Sequence, residues 1–444
     1  MMTDKNEIFD ILQKGLEYSK ADQTELLFMG ENFSLTRFAE NVIIQNISRL
    51  DHTVMARAVL GKKLGVAVTN QTDDISIREI VQTAIEIAGF QEEDPDFFSL
   101  PQSPPAPPVN GYYKKTAKFS PLDRARGIEK AVMACQAQKS NGTGMFQTES
   151  DVIAVVNSLG TKKYFDETKT QFSLTASLSD NVSGWAQAYN QDVGKINIEE
   201  VTQKAISKAL LSQNPIELPP GGYTVILEEA AVASLLLFLA FLGFGAKTFT
   251  TGRSFMAGNI GQKITGDNIT IVEDPYDPVM NAIPFDYEGV VKKRVPLIEN
   301  GVAQGVVYNS YYANKAGVES TGHALLPNNT FGPYPKNMVM AGGDSSMDEM
   351  IAGTDKGILI THFWYINYLN PMKTMVTGTT RDGTFLIENG KIKSAVQNMR
   401  IGQSILEAFS NATMISKERK LCPQYGVVMY VPAMKIEEFA FIGG

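Results

Sequence analysis

The sequence is poor in the residues that most often bind metals or form disulfides. Its 444 residues include only three histidines, His52, His323 and His362, and two cysteines, Cys135 and Cys422. No two histidines stand at helical ligand spacing, so a zinc site of the HExxH kind cannot form within one helix. The cysteines lie far apart and give no disulfide framework, which favours a reducing compartment.

Positive charge is also scarce. The chain carries 40 Lys and Arg against 48 Asp and Glu, a net charge of −8, and its isoelectric point is about 5.2. A nucleic-acid binder needs a basic face to neutralise phosphates, so this balance argues against a nucleic-acid partner. The mixed-charge N-terminus lacks the apolar segment of a secretory signal. We therefore expect a cytoplasmic protein.

One long uncharged run stands out, from Ala230 to Ala246. It follows a short apolar strand, Thr224–Leu227, and two carboxylates, Glu228 and Glu229. Its length is at the lower limit of about 17 residues for crossing a bilayer. The acidic start and Ser234 within the run favour a buried helix over a membrane span. Carboxylates at a helix N-terminus are stabilised by the helix dipole, and a general-base role for Glu229 is the alternative.

Alternating helical and strand patterns predict an α+β protein. Apolar spacing indicates a helix over Asn6–Tyr18 and another over Ile77–Gly89, with an antiparallel meander of short strands between them. A turn is expected at Gly30–Asn32, and the Pro-rich stretch Gln91–Pro108 reads as a linker. The predicted division is an N-terminal α+β domain with its linker (1–108), a middle α/β unit (109–220) and a mainly β C-terminal domain (221–444).

Two segments of the C-terminal half share the sequence Leu-Ile-Glu-Asn-Gly, at Leu297–Gly301 and Leu386–Gly390. Asn-Gly between two apolar stretches is the strongest short-range signal for a β-hairpin. A duplicated substrate-binding edge is one interpretation of the repeat. Two similar hairpins in one sheet is the simpler one.

Short motifs keep their order along the C-terminal half. They are GRSF (Gly252–Phe255), PFDYEG (Pro284–Gly289), LIENG (Leu297–Gly301), SYYA (Ser310–Ala313), STGH (Ser320–His323), LIENG (Leu386–Gly390) and PAMKI (Pro432–Ile436). With these motifs the chain resembles the TldD/PmbA peptidases, historically named modulators of DNA gyrase. The helix–meander–helix start fits the family's N-terminal domain. The resemblance covers essentially the whole chain and implies a TldD/PmbA-like fold.

In the TldD branch of that family, an HExxxH motif at a strand-to-helix junction binds zinc, and a cysteine near the C-terminus is the third ligand. Aligned on the apolar strand, Glu228 stands at the first His, Glu229 at the Glu and Ala233 at the second His. Cys422 stands near the position of the third ligand. Catalytic zinc needs three ligands and an open position, and alanine offers none.

The pattern therefore resembles the PmbA branch, also called TldE, which lacks the motif. The resemblance implies a subunit without a cofactor of its own, paired with a zinc-containing TldD-like catalytic subunit. This heterodimer would cleave unfolded or extended peptides. An isolated homodimer is also open.

Four further residues are candidates for substrate or interface contacts. His323 lies in a family-typical loop that would line the substrate channel or a subunit interface. His362 is flanked by aromatic residues that would meet a partner or a peptide. Asp286 and Glu288 recur in the family, although a turn is the simpler interpretation of both.

Three rival functions stay open. The chain could be an active peptidase through Glu228, Glu229 and Cys422. It could modulate gyrase or DNA, which its acidic balance opposes. It could also be a homodimeric scaffold.

Overall fold

A computed structural model describes residues 4–443 of the chain. Its N-terminal half alternates long strands with helices that pack on them. These elements are α1 (Lys5–Tyr18), β1 (Gln23–Ala39), β2 (Val42–Leu60), β3 (Lys63–Thr69), α2 (Asp74–Phe90), α3 (Lys114–Ala117), α4 (Pro121–Ala137), β4 (Asn141–Asn157), β5 (Lys162–Ser179), β6 (Val182–Asn190) and α5 (Ile198–Leu211).

The C-terminal half is richer in strands, and its helices apart from α6 are short. Its elements are β7 (Gly221–Leu227), α6 (Glu229–Gly243), α7 (Ala246–Thr250), β8 (Ile271–Glu273), β9 (Val295–Glu299), β10 (Val302–Ala303), α8 (Ser310–Ala316), β11 (Asn337–Met340), α9 (Met347–Ala352), β12 (Lys356–Asn370), β13 (Met375–Glu388), β14 (Lys391–Ala395), β15 (Arg400–Ser404), α10 (Ile405–Ser410), β16 (Ala412–Gln424) and β17 (Val427–Gly443). The predicted α+β class with a strand-rich C-terminal part is confirmed.

Within residues 4–443 these strands form two sheets. The first is antiparallel and has six strands in the order β3-β2-β1-β4-β5-β6. The second has eleven strands and includes β7 between β12 and β17. Because β1 pairs with both β2 and β4, the predicted N-terminal and middle units share one sheet. The division at residue 108 stays a prediction.

The expected turn at Gly30–Asn32 is wrong. Gly30 lies in the middle of β1, paired with His52 on one side and with Val152 on the other. Neighbouring strands on both sides hold this glycine extended, although its local sequence favours a turn. The chain turns instead at Glu40 and Asn41, whose φ angles of 51° and 64° suit a type I′ hairpin.

Where the first half of β1 pairs with the second half of β2, the six-stranded sheet is covered on both faces. Since side chains alternate along a strand, residues such as Leu26 and Val54 face α1 and α2. Their neighbours Leu27 and Met55 face the C-terminal half and pack with Phe285. The second face therefore encloses space between the two halves of the molecule.

Both Asn-Gly hairpins are confirmed. The φ angles are 49° and 79° at Asn300 and Gly301, and 51° and 72° at Asn389 and Gly390. Positive φ at both central residues is the requirement of a type I′ turn. The two hairpins, β9–β10 and β13–β14, belong to the same eleven-stranded sheet.

The long uncharged run forms α6, which packs against β12, β16 and β17. Leu235, Leu237 and Leu239 are fully buried. Burial of each such side chain contributes about 1.5–3 kcal/mol. The predicted buried helix is confirmed, and nowhere in residues 4–443 is a helix both long enough and apolar enough to span a bilayer.

Candidate functional site

The aligned metal-site positions lie at the junction between β7 and α6. Glu228 is the residue before the helix, and its backbone N–H donates to the carbonyl of Ile360 at 3.0 Å. Glu229 is the first helical residue. Both line a cleft of about 300 Å³ bounded by β6, α5 and β16. The Gln424 side chain donates to the Ser234 hydroxyl at 2.9 Å and so fastens the end of β16 to α6.

Each carboxylate of the junction is bound by a lysine from another element. Glu228 Oε2 lies 2.7 Å from Nζ of Lys208 on α5, and Glu229 Oε1 lies 2.6 Å from Nζ of Lys420 on β16. Burial acts to lower the pKa of Lys420, but the charge and hydrogen bond of Glu229 outweigh it and raise that pKa. Both carboxylates are therefore already neutralised by ammonium groups.

Cys422 lies two residues after Lys420 on β16, hence on the same side of the strand. The thiol is almost fully buried. Burial and the nearby charge of Glu229 both raise the pKa of Cys422, although Lys420 opposes the shift. The thiol is therefore protonated at neutral pH, whereas zinc is bound by the thiolate.

Ala233 follows Glu229 by four residues and therefore lies on the same face of α6. It is completely buried and carries no donor atom. The set at this junction thus consists of two ion-paired carboxylates, a protonated thiol and a methyl group. These residues do not fit a catalytic zinc ion.

Within the described range, one other group of side chains has the arrangement of a metal-binding cluster, namely Glu31, Glu149 and Asp151. Lys169 already bonds Glu149 and Asp151, and Arg49 bonds Glu31. This group is a network of ion pairs on the first sheet.

His362 packs against the wall of the cleft. Its Nε2 is 3.1 Å from Asp382 Oδ2, and its ring centre is 4.5 Å from that of Trp185, which lines the cleft. The aromatic neighbours Trp364 and Tyr365 are exposed on the surface. Asp382 thus fixes the imidazole of His362, which packs against Trp185.

Asp286 and Glu288 have different partners. Asp286 accepts backbone N–H groups from Glu288 and Val290 through Oδ1 and from Ala324 through Oδ2. Burial, with the nearby Glu288, raises the pKa of Asp286 to about 8. Glu288 instead bonds Arg57 of the first sheet. The two carboxylates organise a loop and join it to the N-terminal half.

His323 lines a second, smaller cavity of about 130 Å³ between the two halves. Its Nδ1 is 2.9 Å from Thr321 Oγ1, and burial lowers its pKa, although Glu273 acts to raise it. The imidazole is therefore neutral at pH 7. Tyr189 and Leu421 line both this cavity and the cleft, so the two spaces are adjacent.

Sequence reasoning missed the lysines of both spaces. Lys208 and Lys420 stand in ordinary polar patterns, and Lys292 is the first of three consecutive basic residues that read as solvent-exposed. Their roles arise from partners far along the chain. The one sequence signal that pointed to this site was the acidic pair Glu228–Glu229 directly before the uncharged run.

Comparisons with known proteins agree on one family. A model described as the PmbA/TldA metallopeptidase C-terminal domain matches residues 220–443, and one described as PmbA/TldA metallopeptidase domain 1 matches residues 25–88. The chain is 22% identical to a metalloprotease TldD homolog of Haemophilus influenzae over 98% of this chain and 95% of that protein. It is 24% identical to the metalloprotease PmbA of Escherichia coli O157:H7, over 90% and 88%.

Solved structures share the fold. TldE from Thermococcus kodakarensis superposes with a TM-score of 0.89 at 21% identity, covering 98% of this chain and all of that one. A candidate modulator of a DNA gyrase from Thermotoga maritima superposes with a TM-score of 0.86 at 18% identity, with the same coverage.

Proposed function

The chain belongs to the PmbA/TldD metallopeptidase family, and from that premise we propose that it is a PmbA/TldE-like, non-catalytic subunit. Its partner is a TldD-like subunit that carries the zinc. Together the two subunits cleave unfolded or extended peptides. This chain contributes the wall of the chamber and strands that hold the substrate.

The observation that carries the proposal is the ion pair between Glu229 and Lys420. Glu229 stands at the position of the family's motif Glu, and its carboxylate is bonded to an ammonium group at 2.6 Å. In a metallopeptidase the general base acts on a water that the metal activates. With Ala233 at a ligand position, the Cys422 thiol protonated and Glu229 paired to Lys420, the junction offers no set of ligands to hold that metal.

An uncovered sheet edge supports peptide capture. The strand β3 pairs only with Val54–Leu60 of β2, so in the described residues the stretch 42–53 has β1 as its only neighbouring strand. Val42, Ile44 and Leu50 on this stretch are each more than half exposed. An extended peptide can add to such an edge through main-chain hydrogen bonds, which tolerate many sequences. We assign this edge to an extended, apolar peptide.

Peptidase activity with and without a partner tests the proposal. The full chain is purified alone and after co-expression with a TldD-like subunit, and hydrolysis of an unstructured casein-derived peptide is measured. We expect activity only in the complex, and the Glu229→Gln variant of this chain should leave it unchanged. Hydrolysis by the isolated chain that Glu229→Gln abolishes would contradict a non-catalytic role.

The partner and the compartment are tested separately. A stable complex of the two chains in size-exclusion chromatography with light scattering is expected. Separate elution of the two chains would contradict the heterodimer and favour the alternative of a homodimeric scaffold. A cytoplasmic location belongs to the same proposal and is supported by the free, buried thiols of Cys135 and Cys422.

A further inference from the structure

The small cavity between the two halves contains a lysine with few partners. Lys292 is almost fully buried, and its Nζ donates one hydrogen bond, to Asn337 Oδ1 at 3.0 Å. Among the described residues no carboxylate oxygen lies within 4.0 Å of this nitrogen. An ammonium group has three donors, and a buried charge is stable only when paired or well bonded. Two donors of Lys292 are therefore available on the cavity side.

Another buried group on the wall of this cavity is also unsatisfied. The hydroxyl of Tyr334 makes no hydrogen bond to any residue in the range 4–443, whereas Nε2 of His323 lies 3.4 Å from Glu273 Oε1. Both side chains are more than nine-tenths buried. Most buried polar atoms in a protein are hydrogen-bonded, either to protein groups or to ordered water.

The charges around Lys292 come from several elements. Glu273 on β8 accepts the backbone N–H groups of Lys336 and Asn337, and its charge acts to raise the pKa of Lys292. Burial is the largest influence and, with Lys336, lowers that pKa to about 8. More distant carboxylates at Asp286 and Glu167 act with Glu273. The amine is therefore mainly charged at pH 7, and its charge is incompletely neutralised.

The acidic side of the cavity does not neutralise it. Asp151 and Glu167 line the cavity from the six-stranded sheet, but both are bonded to Lys169. The space of about 130 Å³ is close to the roughly 150 Å³ that encloses a benzene-sized molecule. A ligand of amino-acid size has about this volume, and two N–H donors of Lys292 and the hydroxyl of Tyr334 are available to an acceptor group there.

We propose that this cavity binds the carboxylate group of a small ligand, with Lys292 and Tyr334 as its donors. Two kinds of ligand carry such a carboxylate group. One is a free α-amino acid, and the other is the C-terminal carboxylate of a peptide that reaches in past Tyr189 and Leu421 from the cleft. The peptide source rests on the proposed function, whereas the carboxylate site itself does not.

Calorimetric titration and thermal-shift measurements on the isolated full chain test this site. The probes are acetate, L-alanine and N-acetyl-alanyl-alanine, with the C-terminal amide of that dipeptide as the uncharged control. At least one acid should bind and raise the melting temperature, and the amide should do neither. L-Alanine alone would identify a free amino acid, and the acetylated dipeptide alone a peptide end. Either result supports the carboxylate site.

Two variants locate the site. Lys292→Met and Tyr334→Phe should each weaken binding about tenfold or more, since each removes a hydrogen bond in which one partner is charged. Lys315→Met, which removes an exposed lysine paired with Asp96, is the matched control and should bind like the unmodified chain. If Lys292→Met does not fold, Tyr334→Phe still decides the question.

Two outcomes would overturn the proposal. Equal binding of the acid and the amide would show that no carboxylate is recognised. An absence of any response to all probes would mean that the cavity holds water only. Neither outcome bears on zinc content or peptidase activity, which are measured without these ligands.

Discussion

Arg57 joins the two halves of the molecule, and its replacement by Met should be strongly destabilising. Its Nη2 lies 2.9 Å from Glu25 Oε2 on β1, and its Nη1 lies 3.1 Å from Glu288 Oε1 in the C-terminal half. The side chains of Arg57, Glu25 and Glu288 are 10%, 1% and 8% exposed. The guanidinium is the cation that both buried carboxylates share.

Removing that guanidinium leaves two carboxylates without water or a counter-charge. Breaking a buried ion pair by deleting one partner costs about 3–5 kcal/mol. Proton uptake limits the loss, because burial already raises the pKa of Glu25 to about 7 against the opposing charge of Arg57. We therefore expect Arg57→Met to lower the free energy of unfolding by about 3–5 kcal/mol at pH 8 and by less at pH 5.

Urea unfolding followed by circular dichroism measures this difference. Arg49→Met is the matched control, because Arg49 pairs with Glu31 across the same two strands but is 58% exposed. An exposed pair contributes about 0–1 kcal/mol. Replacing all three buried groups, Arg57→Met with Glu25→Gln and Glu288→Gln, should recover much of the loss. If Arg57→Met costs no more than Arg49→Met, the reasoning about burial is refuted.

Three further predictions follow from the same structure. The double variant Glu228→His with Ala233→His should bind zinc, and Cys422→Ser should abolish that binding. Metal binding contributes about 10–16 kcal/mol, which exceeds the cost of about 1–3 kcal/mol for overpacking at the buried alanine. A double variant that folds but binds no zinc would contradict the alignment. Glu25 should make the fold less stable as pH rises, because its pKa of about 7 in the folded state exceeds its ordinary value of 4.5. Its contribution to the free energy of unfolding is therefore complete below pH 4.5 and is lost as the pH rises through 7. Urea unfolding midpoints should show this decline with pH in the unmodified chain and should lose it in Glu25→Gln. Ile44→Lys should weaken capture of an unstructured peptide, measured by fluorescence anisotropy, because an added charge discourages pairing at a sheet edge; unchanged affinity would remove this edge from the substrate path.

The parts of the fold that local chemistry decides were predictable. The Asn-Gly pairs at residues 300–301 and 389–390 adopt the positive φ angles that their type of turn requires. The uncharged run after Glu229 forms a buried helix, because its composition leaves no polar face. In both places the deciding interactions lie within a few residues.

The candidate site was predictable only as a set of aligned positions. Glu228 and Glu229 were identified, but the lysines that bind them stand 20 and 191 residues away along the chain. The turn predicted at Gly30 was wrong for the same reason, since the pairing partners of Gly30 belong to two other strands. The sheet pairings and ion pairs of the tertiary fold override local preference, and no local pattern in one sequence reports them.

The zinc-to-protein ratio of the isolated full chain tests the central claim most directly. The protein is purified from zinc-supplemented medium, desalted and analysed by inductively coupled plasma mass spectrometry. The ion pair of Glu229 with Lys420 and the protonated thiol of Cys422 predict far less than one zinc per chain. One zinc per chain, lost in both Glu229→Gln and Cys422→Ser, would contradict the account.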